Sequence, residues 1–272
     1  MPATYAHLRF GREVLEKLPD HIREIIMSEP ELFTIGLQGP DPFYLIISPF
    51  FGVRQRVRKN GYDNHSASGL HFIVPASRVA ERSGFSAPEM AYIYGMICHF
   101  ALDREAHAYI IKEAKKPEHV HAQIEMEFDR RLLVHDGKDP LSTRLTDGFV
   151  PSARNTAAIL QFYPDTNYPD LHAALVSTVI VNEIFLCPGK LKRALVRSMI
   201  KIFGINQKSW YHVMSEHPAP QCVETNRVLA GFYKSAVDKA VHLCKDFEKC
   251  ARGEKDWDEL YTYNFKGVKL SD

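Results

Sequence analysis

Three side chains that can bind metal ions recur at intervals of four residues in one short stretch: His99, Asp103 and His107. On an α-helix of ~3.6 residues per turn, each step of four rotates a side chain only slightly. The three therefore form a row on one face, about one turn apart. Such a row can supply ligands to neighbouring metal ions, and Asp103 can bridge two ions through its two oxygens. We predict a metal cluster here.

A second stretch repeats this arrangement, because His121 and Glu125 are also four residues apart. Two successive helices with a short connection lie antiparallel, so their ligand faces can converge on one site. The alternative for any single pair is a hydrogen-bonded core pair, but two helices in phase favour metal. Six nearby groups fall off the rows or lack a partner, and we interpret them as surface charges: Glu105, Glu113, Glu118, His119, Glu127 and Asp129.

Imidazole and carboxylate ligands without thiolate are typical of zinc, although manganese and iron also accept them. The five cysteines are odd in number and lack the CxxC spacing of a thiolate site, so we expect reduced thiols. Cys98, which lies beside the ligand row, is expected in the core. A pair of zinc ions would activate water and polarise a phosphoryl oxygen.

The elements that must position these ligands read as helices. Ser86, Pro88 and Glu89 form a helix start, and this helix is predicted to run to about Lys112. Pro117 opens the next helix, to about Val134. Further helices are predicted over 6–18, from Pro19, from Pro30, and near 152–162, 169–186, 190–203 and 224–252, with loops at 36–42, 52–66 and 136–151. No period-two alternation is sustained, so we predict an all-α fold with little or no sheet.

A chain of 272 residues with 45% apolar residues suits a single multi-helix domain, 1–272. We expect the metal ligands in 1–135 and packing helices in 152–252. The formal net charge of +1 does not suggest steering toward nucleic acid or an anionic membrane. The basic run Lys190 to Arg193 is interpreted as a solvated helix face. The sequence does not indicate an oligomeric state.

The amino-terminal residues lack the apolar stretch and cleavage site of a signal peptide. The longest apolar region, Ala173 to Cys187, is shorter than the ~20 residues needed to span a bilayer. It also contains Asn182 and Glu183, so we interpret it as a buried helix. We therefore expect a cytoplasmic protein without a transmembrane segment.

The two ligand rows resemble the zinc-dependent phospholipase C family, which shares its fold with the single-strand-specific fungal nucleases. The run Gly95 to Leu133 is similar to a bacterial cytoplasmic branch of that family. The matching motifs are Thr4-Tyr5-Ala6-His7, Gly39-Pro40-Asp41, Gly69-Leu70-His71, His99-x-x-x-Asp103-x-x-x-His107-x-Tyr109 and His121-x-x-x-Glu125. The resemblance implies an all-α fold of that type and two or three zinc ions per chain.

The family pattern also implies which residues hold each ion. The first zinc would take Asp41, His71, His99 and Asp103. The second would take His107, His121 and Glu125. A third would take Asp103, His7 and the terminal amine of Pro2 after removal of Met1.

His65 competes with His71 for the first zinc. We favour His71, because it leads into the apolar run Phe72-Ile73-Val74, whereas His65 falls in a polar segment. The remaining histidines at 172, 212, 217 and 242 have no carboxylate in phase and are expected to be ordinary.

The resemblance implies a phosphodiester hydrolase in which a metal-activated water attacks phosphorus, with a phospholipid or a smaller phosphodiester as substrate. Asp41 would act as ligand or as general base. One alternative is a nuclease or nucleotidase of the same fold, although the sequence shows no placed aromatic pair for base stacking, and no stable nucleic-acid complex is expected. The other alternative is a non-catalytic metal-cluster protein.

Overall fold

A computed structural model describes residues 4–47, 51–202 and 207–270 of the chain, and this part is helical throughout. It contains eleven α-helices, four short 3-10 helices and two isolated β-bridges, with no strand. The predicted all-α fold is therefore confirmed. The helices are α1 Thr4–Lys17, α2 Asp20–Ser28, α3 Pro30–Gly36, α4 Phe51–Ser66, α5 Gly69–Arg82, α6 Ala87–Glu113, α7 His121–His135, α8 Ala153–Leu160, α9 Tyr168–Phe185, α10 Lys190–Ile202 and α11 Val223–Ala251.

Helix α6 is the centre of the molecule. Its residues from 90 to 103 are all buried, and α1, α2, α3, α5, α7, α8 and α11 pack around it. It begins at the predicted place, with Pro88 in the first turn, but the Ser86 hydroxyl hydrogen-bonds the Glu89 carboxylate and does not cap a backbone N–H group. Its predicted metal ligands are consequently carried on the most enclosed element of the fold.

Two glycines bring α3 unusually close to α6. A Cβ atom on Gly95 would lie 2.4 Å from the carbonyl oxygen of Phe33, and one on Gly36 would lie 2.4 Å from that of Tyr92. No side chain larger than hydrogen fits at either position. The close crossing places the chain that follows α3, including Asp41, directly against the ligand row of α6.

The segment 52–66, predicted as a loop, is instead helix α4. Its sequence is polar, which is why it lacks an obvious helical pattern. Its buried positions are nevertheless Val57, Gly61 and His65, which recur every four residues and form one narrow face. The remaining described side chains face outward or are half-buried, so the helix is amphipathic with a very thin buried stripe.

The chain after α11 returns across the molecule and covers the ligand row. Asn264 forms an isolated bridge with Ser68, and the buried Phe265 contacts the rings of His65, His99 and Phe100. No prediction from the sequence covered this segment. Helices α1–α9, α11 and the C-terminal segment therefore share one hydrophobic core, while α10 is packed on a small separate cluster.

None of the described helices is both long enough and apolar enough to cross a bilayer. The expectation that Ala173–Cys187 is not a transmembrane helix agrees with this finding. The assignment of 1–272 to a single domain stays a prediction.

Candidate metal centre

The ligand row of α6 meets the predicted ligands from other elements around one carboxylate, that of Asp103. Its Oδ1 lies 3.2 Å from Nε2 of His7 on α1. Its Oδ2 lies 3.1 Å from Nε2 of His99 and 3.2 Å from Nδ1 of His107 on the same helix. Nε2 of His65, on α4, is 3.8 Å from Oδ2. Four imidazoles from three helices thus surround one buried carboxylate.

A second carboxylate, Asp41, closes one side of this arrangement. Its Oδ1 lies 3.0 Å from Nε2 of His65, and its Oδ2 lies 3.8 Å from Nε2 of His99. The residue opens the 3-10 helix Asp41–Leu45 and is buried. Asp41, His65 and His99 therefore present ligand atoms within 4.8 Å of one another, and so do His7, His99 and Asp103.

A third group joins the ends of α6 and α7. Oε1 of Glu125 lies 3.2 Å from Nε2 of His107 and 3.0 Å from Nε2 of His121, and the two rings are stacked. Because Asp103 and Glu125 contact opposite nitrogens of the same His107 ring, the two predicted ligand rows converge as expected. The three groups form one continuous cluster.

The structure does not bring His71 into this cluster. His71 lies on the exposed face of α5, whose buried side carries Phe72 and Ile73. The preference for His71 over His65 is therefore corrected. Phe72 and Ile73 of the apolar run are buried, as the sequence suggested for His71 too. The geometry of the helix turns the adjacent His71 side chain away from that buried face. His65 takes its place, because α4 is a helix and not a loop.

We expect His65→Ala to lower metal content by about one ion per chain, because an imidazole contributes much of the affinity of such a site. His71→Ala is the matched control and should retain the wild-type metal content. Elemental analysis of both purified variants after dialysis against limiting zinc measures the difference. Equal loss in the two variants, or loss in His71→Ala alone, would contradict the placement of His65.

Backbone carbonyls fix the orientation of three of the imidazoles. Nδ1 of His65 lies 2.9 Å from the Gly61 carbonyl oxygen, and Nδ1 of His99 lies 3.1 Å from that of Leu37. Nδ1 of His107 lies 3.2 Å from the Phe265 carbonyl oxygen. An imidazole whose Nδ1–H donates to a carbonyl presents the lone pair of Nε2 to the site, which is the usual arrangement in metal centres.

Gly39 provides the space for His99. Its φ of +54° lies in the left-handed region, and a Cβ atom there would lie 2.3 Å from the His99 ring. Glycine is therefore required at this position for two reasons: the backbone has a positive φ, and a side chain would collide with the His99 ring. The tight turn it permits lets the chain pass from α3 to Asp41 while the Leu37 carbonyl reaches His99.

The electrostatics of the cluster favour charged carboxylates. Burial raises the pKa of Asp103, but the nearby His107 and His99 outweigh burial and hold its pKa well below the usual range. Asp41 and Glu125 likewise have lowered pKa values despite burial, because of their histidine neighbours. Burial lowers the pKa of His107, but Asp103 and Glu125 raise it well above the usual value.

Several atoms of the cluster fit a metal ion better than they fit one another. Among the described residues, five buried ligand-type atoms of the cluster have no partner with hydrogen-bond geometry, although His99 Nε2 and Asp103 Oδ2 lie 3.1 Å apart: His7 Nδ1, Asp41 Oδ2, His99 Nε2, Asp103 Oδ2 and Glu125 Oε2. Buried polar atoms without partners are costly and rare, so such a concentration calls for an explanation. Divalent zinc would satisfy the nitrogen and oxygen donors present here. The donor set therefore fits zinc.

The amine of Pro2, predicted to join a third ion, lies outside the described residues. His7 and Asp103, the other ligands of that ion, are in contact, and the His7 ring stacks on that of His99 at 4.3 Å.

Three of the six groups interpreted as surface charges are buried: Glu113, Glu127 and Asp129. Both oxygens of Asp129 accept backbone hydrogen bonds from the first turn of α1, from Tyr5 at 2.9 Å and Ala6 at 2.7 Å. Free N–H groups at a helix start favour a carboxylate, here supplied by another helix. Burial raises the pKa of Asp129 to about 8, against the lowering influence of these two donors. Asp129 thus positions α1 and, through it, His7.

We expect Asp129→Ala to lower the free energy of unfolding by about 2–4 kcal/mol, because two buried N–H groups lose their acceptor. Denaturant unfolding with zinc in excess measures the loss. Asp238→Ala, which removes an exposed carboxylate, is the control and should change stability by less than about 1 kcal/mol. If both variants lose the same amount, Asp129 does not anchor α1.

A cleft of about 330 Å³ opens onto the cluster, a size suited to a small molecule or a lipid headgroup. Asp41, His107 and Glu125 line its floor, and Tyr44, Tyr62 and Lys266 line its walls. Lys266 comes from the C-terminal segment, which sequence reasoning did not connect with the site. Catalytic ions held at the floor of such a cleft would be open to a substrate.

Comparison with protein families gave one match: a family model described as zinc dependent phospholipase C matches residues 6–175. This range is more than half of the chain and contains every residue of the cluster. Comparisons with curated proteins and with solved structures gave no match.

Proposed function

The chain belongs to the zinc-dependent phospholipase C family, and we propose that it is a zinc-dependent phosphoric diester hydrolase of the phospholipase C type. The observation that carries this proposal is the convergence of three ligand groups on one buried cluster at the floor of a cleft. Family membership together with these groups supports a zinc-dependent hydrolase. The reaction and the substrate are the proposed part.

We assign the ligands as follows. One ion would be held by Asp41, His65, His99 and Asp103, with His65 in place of His71. A second would be held by a separate set: His107, His121 and Glu125. A third would take His7 together with Asp103.

Bound zinc supplies two kinds of chemistry, because it lowers the pKa of a water molecule and neutralises charge on phosphoryl oxygens. The chain supplies the proton acceptor. Asp41 lines the cleft, His65 fixes its Oδ1, and its Oδ2 has no hydrogen-bond partner among the described residues. We propose that Oδ2 accepts the proton of the attacking water, which is the general-base role, one of the two roles considered for Asp41.

Lys266 is placed to bind the phosphate. It lines the cleft, its Nζ lies 3.0 Å from the Ser66 hydroxyl, and it forms no ion pair within the described part of the chain. An ammonium group beside a metal cluster, without a carboxylate partner, favours an anionic ligand.

We expect Lys266→Met to raise KM for a phosphodiester about tenfold with a smaller change in kcat, since it removes one charge-assisted hydrogen bond. Lys269→Met, an exposed lysine of the same segment, is the control. Steady-state kinetics on bis-p-nitrophenyl phosphate measures both constants. An unchanged KM in Lys266→Met would show that this ammonium does not contact the substrate.

One pair of aromatic side chains in the cleft bears on the nuclease alternative. The rings of Tyr44 and Tyr62 meet edge to face at 4.9 Å on the wall of the cleft, and Tyr62 is largely exposed. Such a pair could stack a nucleobase, but it could equally hold a choline headgroup by cation–π attraction. We retain the phospholipase reading because the family model describes that activity.

The decisive experiment is an assay of the purified protein on three substrates: phosphatidylcholine vesicles, bis-p-nitrophenyl phosphate and single-stranded DNA. We expect hydrolysis of the first two, loss of activity with chelator, and recovery on addition of zinc. Faster hydrolysis of DNA would favour the nuclease. Full zinc content without hydrolysis of any substrate would favour the non-catalytic alternative and overturn the proposal.

We further propose that 1–272 folds as one domain in the cytoplasm. The shared core of α1–α9 and α11 supports the first part. The five cysteines are all buried and unpaired within the described residues, which suits a reducing compartment.

A further inference from the structure

Helix α10 exposes an apolar stripe that the fold does not use. Leu191, Leu195, Met199 and Ile202 are 76%, 56%, 47% and 77% exposed. Their spacing of four, four and three residues places them in one row along the helix. Single exposed apolar residues are ordinary, but four in one row on a helix of thirteen residues are not.

Cations flank this stripe on both sides. Lys190, Lys192, Arg197 and Lys201 are exposed, and none of these four forms an ion pair within the chain that the structure describes. Helix α10 itself contains no acidic residue. Its remaining cation, Arg193, faces Glu216 instead. The outer surface of α10 therefore combines an apolar row with uncompensated positive charge.

The opposite face of α10 fixes the helix to the rest of the molecule. Val196 and Ile200 are buried against Cys187 and Val213 in a small cluster separate from the main core. The apolar stripe is thus not the side by which α10 packs. The helix has two apolar faces, and residues 4–47, 51–202 and 207–270 cover only one of them.

One 3-10 helix links α10 to the metal cluster. The 3-10 helix Gln207–His212 packs both on α10 and on α7, whose first residue is the ligand-type His121. His121 also lines the cleft.

We propose that α10 docks the protein on an anionic phospholipid bilayer, with the Leu191–Ile202 stripe entering the headgroup region. An amphipathic helix with an apolar face and lysine or arginine along its edges is the form that lies in a membrane interface. The cations contact lipid phosphates while their alkyl stems extend along the apolar boundary. The proposal gives the exposed cations of the run Lys190 to Arg193, interpreted from the sequence as a solvated face, a further role at a membrane.

Charge decides between a bilayer and a second copy of the chain. Two α10 helices packed stripe to stripe would bring like charges together, with no carboxylate on either helix to compensate. An anionic bilayer instead pairs every flanking cation with a phosphate. The docking goes beyond the proposed hydrolysis, since a protein can bind a bilayer through α10 without cleaving it.

The test is sedimentation of the zinc-loaded full-length protein with vesicles of phosphatidylcholine mixed with phosphatidylglycerol, and with phosphatidylcholine alone. We expect preferential binding to the mixed vesicles. Leu191→Ser and Leu195→Ser together should lower partitioning by about tenfold or more, given the value of buried leucine surface. Each of Lys190→Gln, Arg197→Gln and Lys201→Gln should lower it by about fivefold, the equivalent of ~1 kcal/mol.

Matched controls lie on other helices. Met27→Ser on α2 removes an apolar side chain that is 62% exposed, and Lys245→Gln with Lys249→Gln removes two exposed cations of α11. Both should bind vesicles as wild type does. All substituted side chains are exposed, and circular dichroism with zinc analysis checks that each variant is folded.

Failure of wild type to prefer anionic vesicles would overturn the proposal, as would equal losses in the controls. A concentration-dependent dimer that disappears in the Leu191→Ser, Leu195→Ser variant, without a change in vesicle binding, would show the stripe to be a dimer interface. Vesicle binding without hydrolysis would overturn the proposed enzyme and retain the docking surface. Hydrolysis without α10-dependent binding would overturn the docking surface and retain the proposed enzyme.

Discussion

Asp103→Asn is expected to reduce the metal content of the protein to about one ion per chain or fewer and to lower hydrolysis on the order of 10³-fold or more, because charge stabilisation at the reacting centre is lost. The reason is geometric. The Asp103 carboxylate lies within 3.8 Å of imidazole nitrogens of His7, His65, His99 and His107, so it contacts members of all three ligand groups. Asparagine keeps the volume but loses the negative charge and one of the two oxygens needed to bridge.

Two further variants serve as a control and a comparison for this measurement. Glu105→Gln changes a carboxylate two positions away on α6 that pairs with Arg104 and Lys239 and not with the cluster, so its metal content should stay at the wild-type level. His121→Ala removes a ligand of one group only and should cost about one ion. If His121→Ala empties the site while Asp103→Asn leaves it filled, Asp103 does not bridge.

The ligand rows of α6 and α7 were predictable because helical periodicity alone places them. His99, Asp103 and His107 share one face whatever surrounds the helix, and His121 and Glu125 do the same. The start of α6 after Ser86 and the prolines before α2 and α3 locate those helices for a similar reason, since these signals act locally. Pro117 is less exact, because α7 begins only at His121. Local rules therefore predicted most of the helices and five residues of the cluster, but they missed α4.

The rest of the site depends on which face a helix buries, and this is decided by distant residues. His65 belongs to a polar helix whose buried stripe is one residue wide, so its hydrophobic pattern is too weak to identify it. Asp129 looks like any surface acid until α1 presents two free N–H groups to it. The sequence offered one indication of its burial. Asp129 lies four residues after Glu125, and therefore on the same face of the helix, one turn further along.

The contribution of the C-terminal segment had no sequence signal at all. The Phe265 carbonyl reaches His107 across 158 residues of chain, and a backbone acceptor is independent of residue type. The role of three glycines is likewise visible only in the structure. Gly36, Gly39 and Gly95 lie where α3 and the following turn approach α6, and each excludes a side chain for a reason that the sequence alone does not reveal.

Removal of zinc is expected to lower the melting temperature by about 15 °C or more. Each ion present at about 1,000 times its Kd contributes about 4 kcal/mol, and a domain of this size shifts by ~2–4 °C per kcal/mol. The cluster is also costly without metal, because five of its buried ligand-type atoms have no hydrogen-bond partner in the described structure. Differential scanning calorimetry of zinc-loaded and chelator-treated protein measures the shift, and restored stability on re-addition of zinc is the control.

The pH dependence of that shift separates metal binding from a hydrogen-bonded core. Without metal, His107 has a pKa raised above its ordinary value of 6.5, since Asp103 and Glu125 outweigh the opposing effect of burial. A histidine whose pKa is higher in the folded than in the unfolded protein stabilises the fold. This stabilisation is complete at pH values below the pKa of the unfolded state, and it is lost as the pH rises through the pKa of the folded state. The lowered pKa values of Asp103 and Glu125 act in the opposite sense, contributing above their unfolded values near ~4.

The metal-free protein should therefore be most stable between about pH 4.5 and 6.5 and should weaken as pH rises further. Zinc binding requires neutral imidazoles, so its contribution grows over that same range. The difference in melting temperature between loaded and stripped protein should consequently widen from pH 6 to pH 8. A difference that stays constant or narrows would mean that the cluster of histidines and carboxylates is held together by its own charges, without a metal ion.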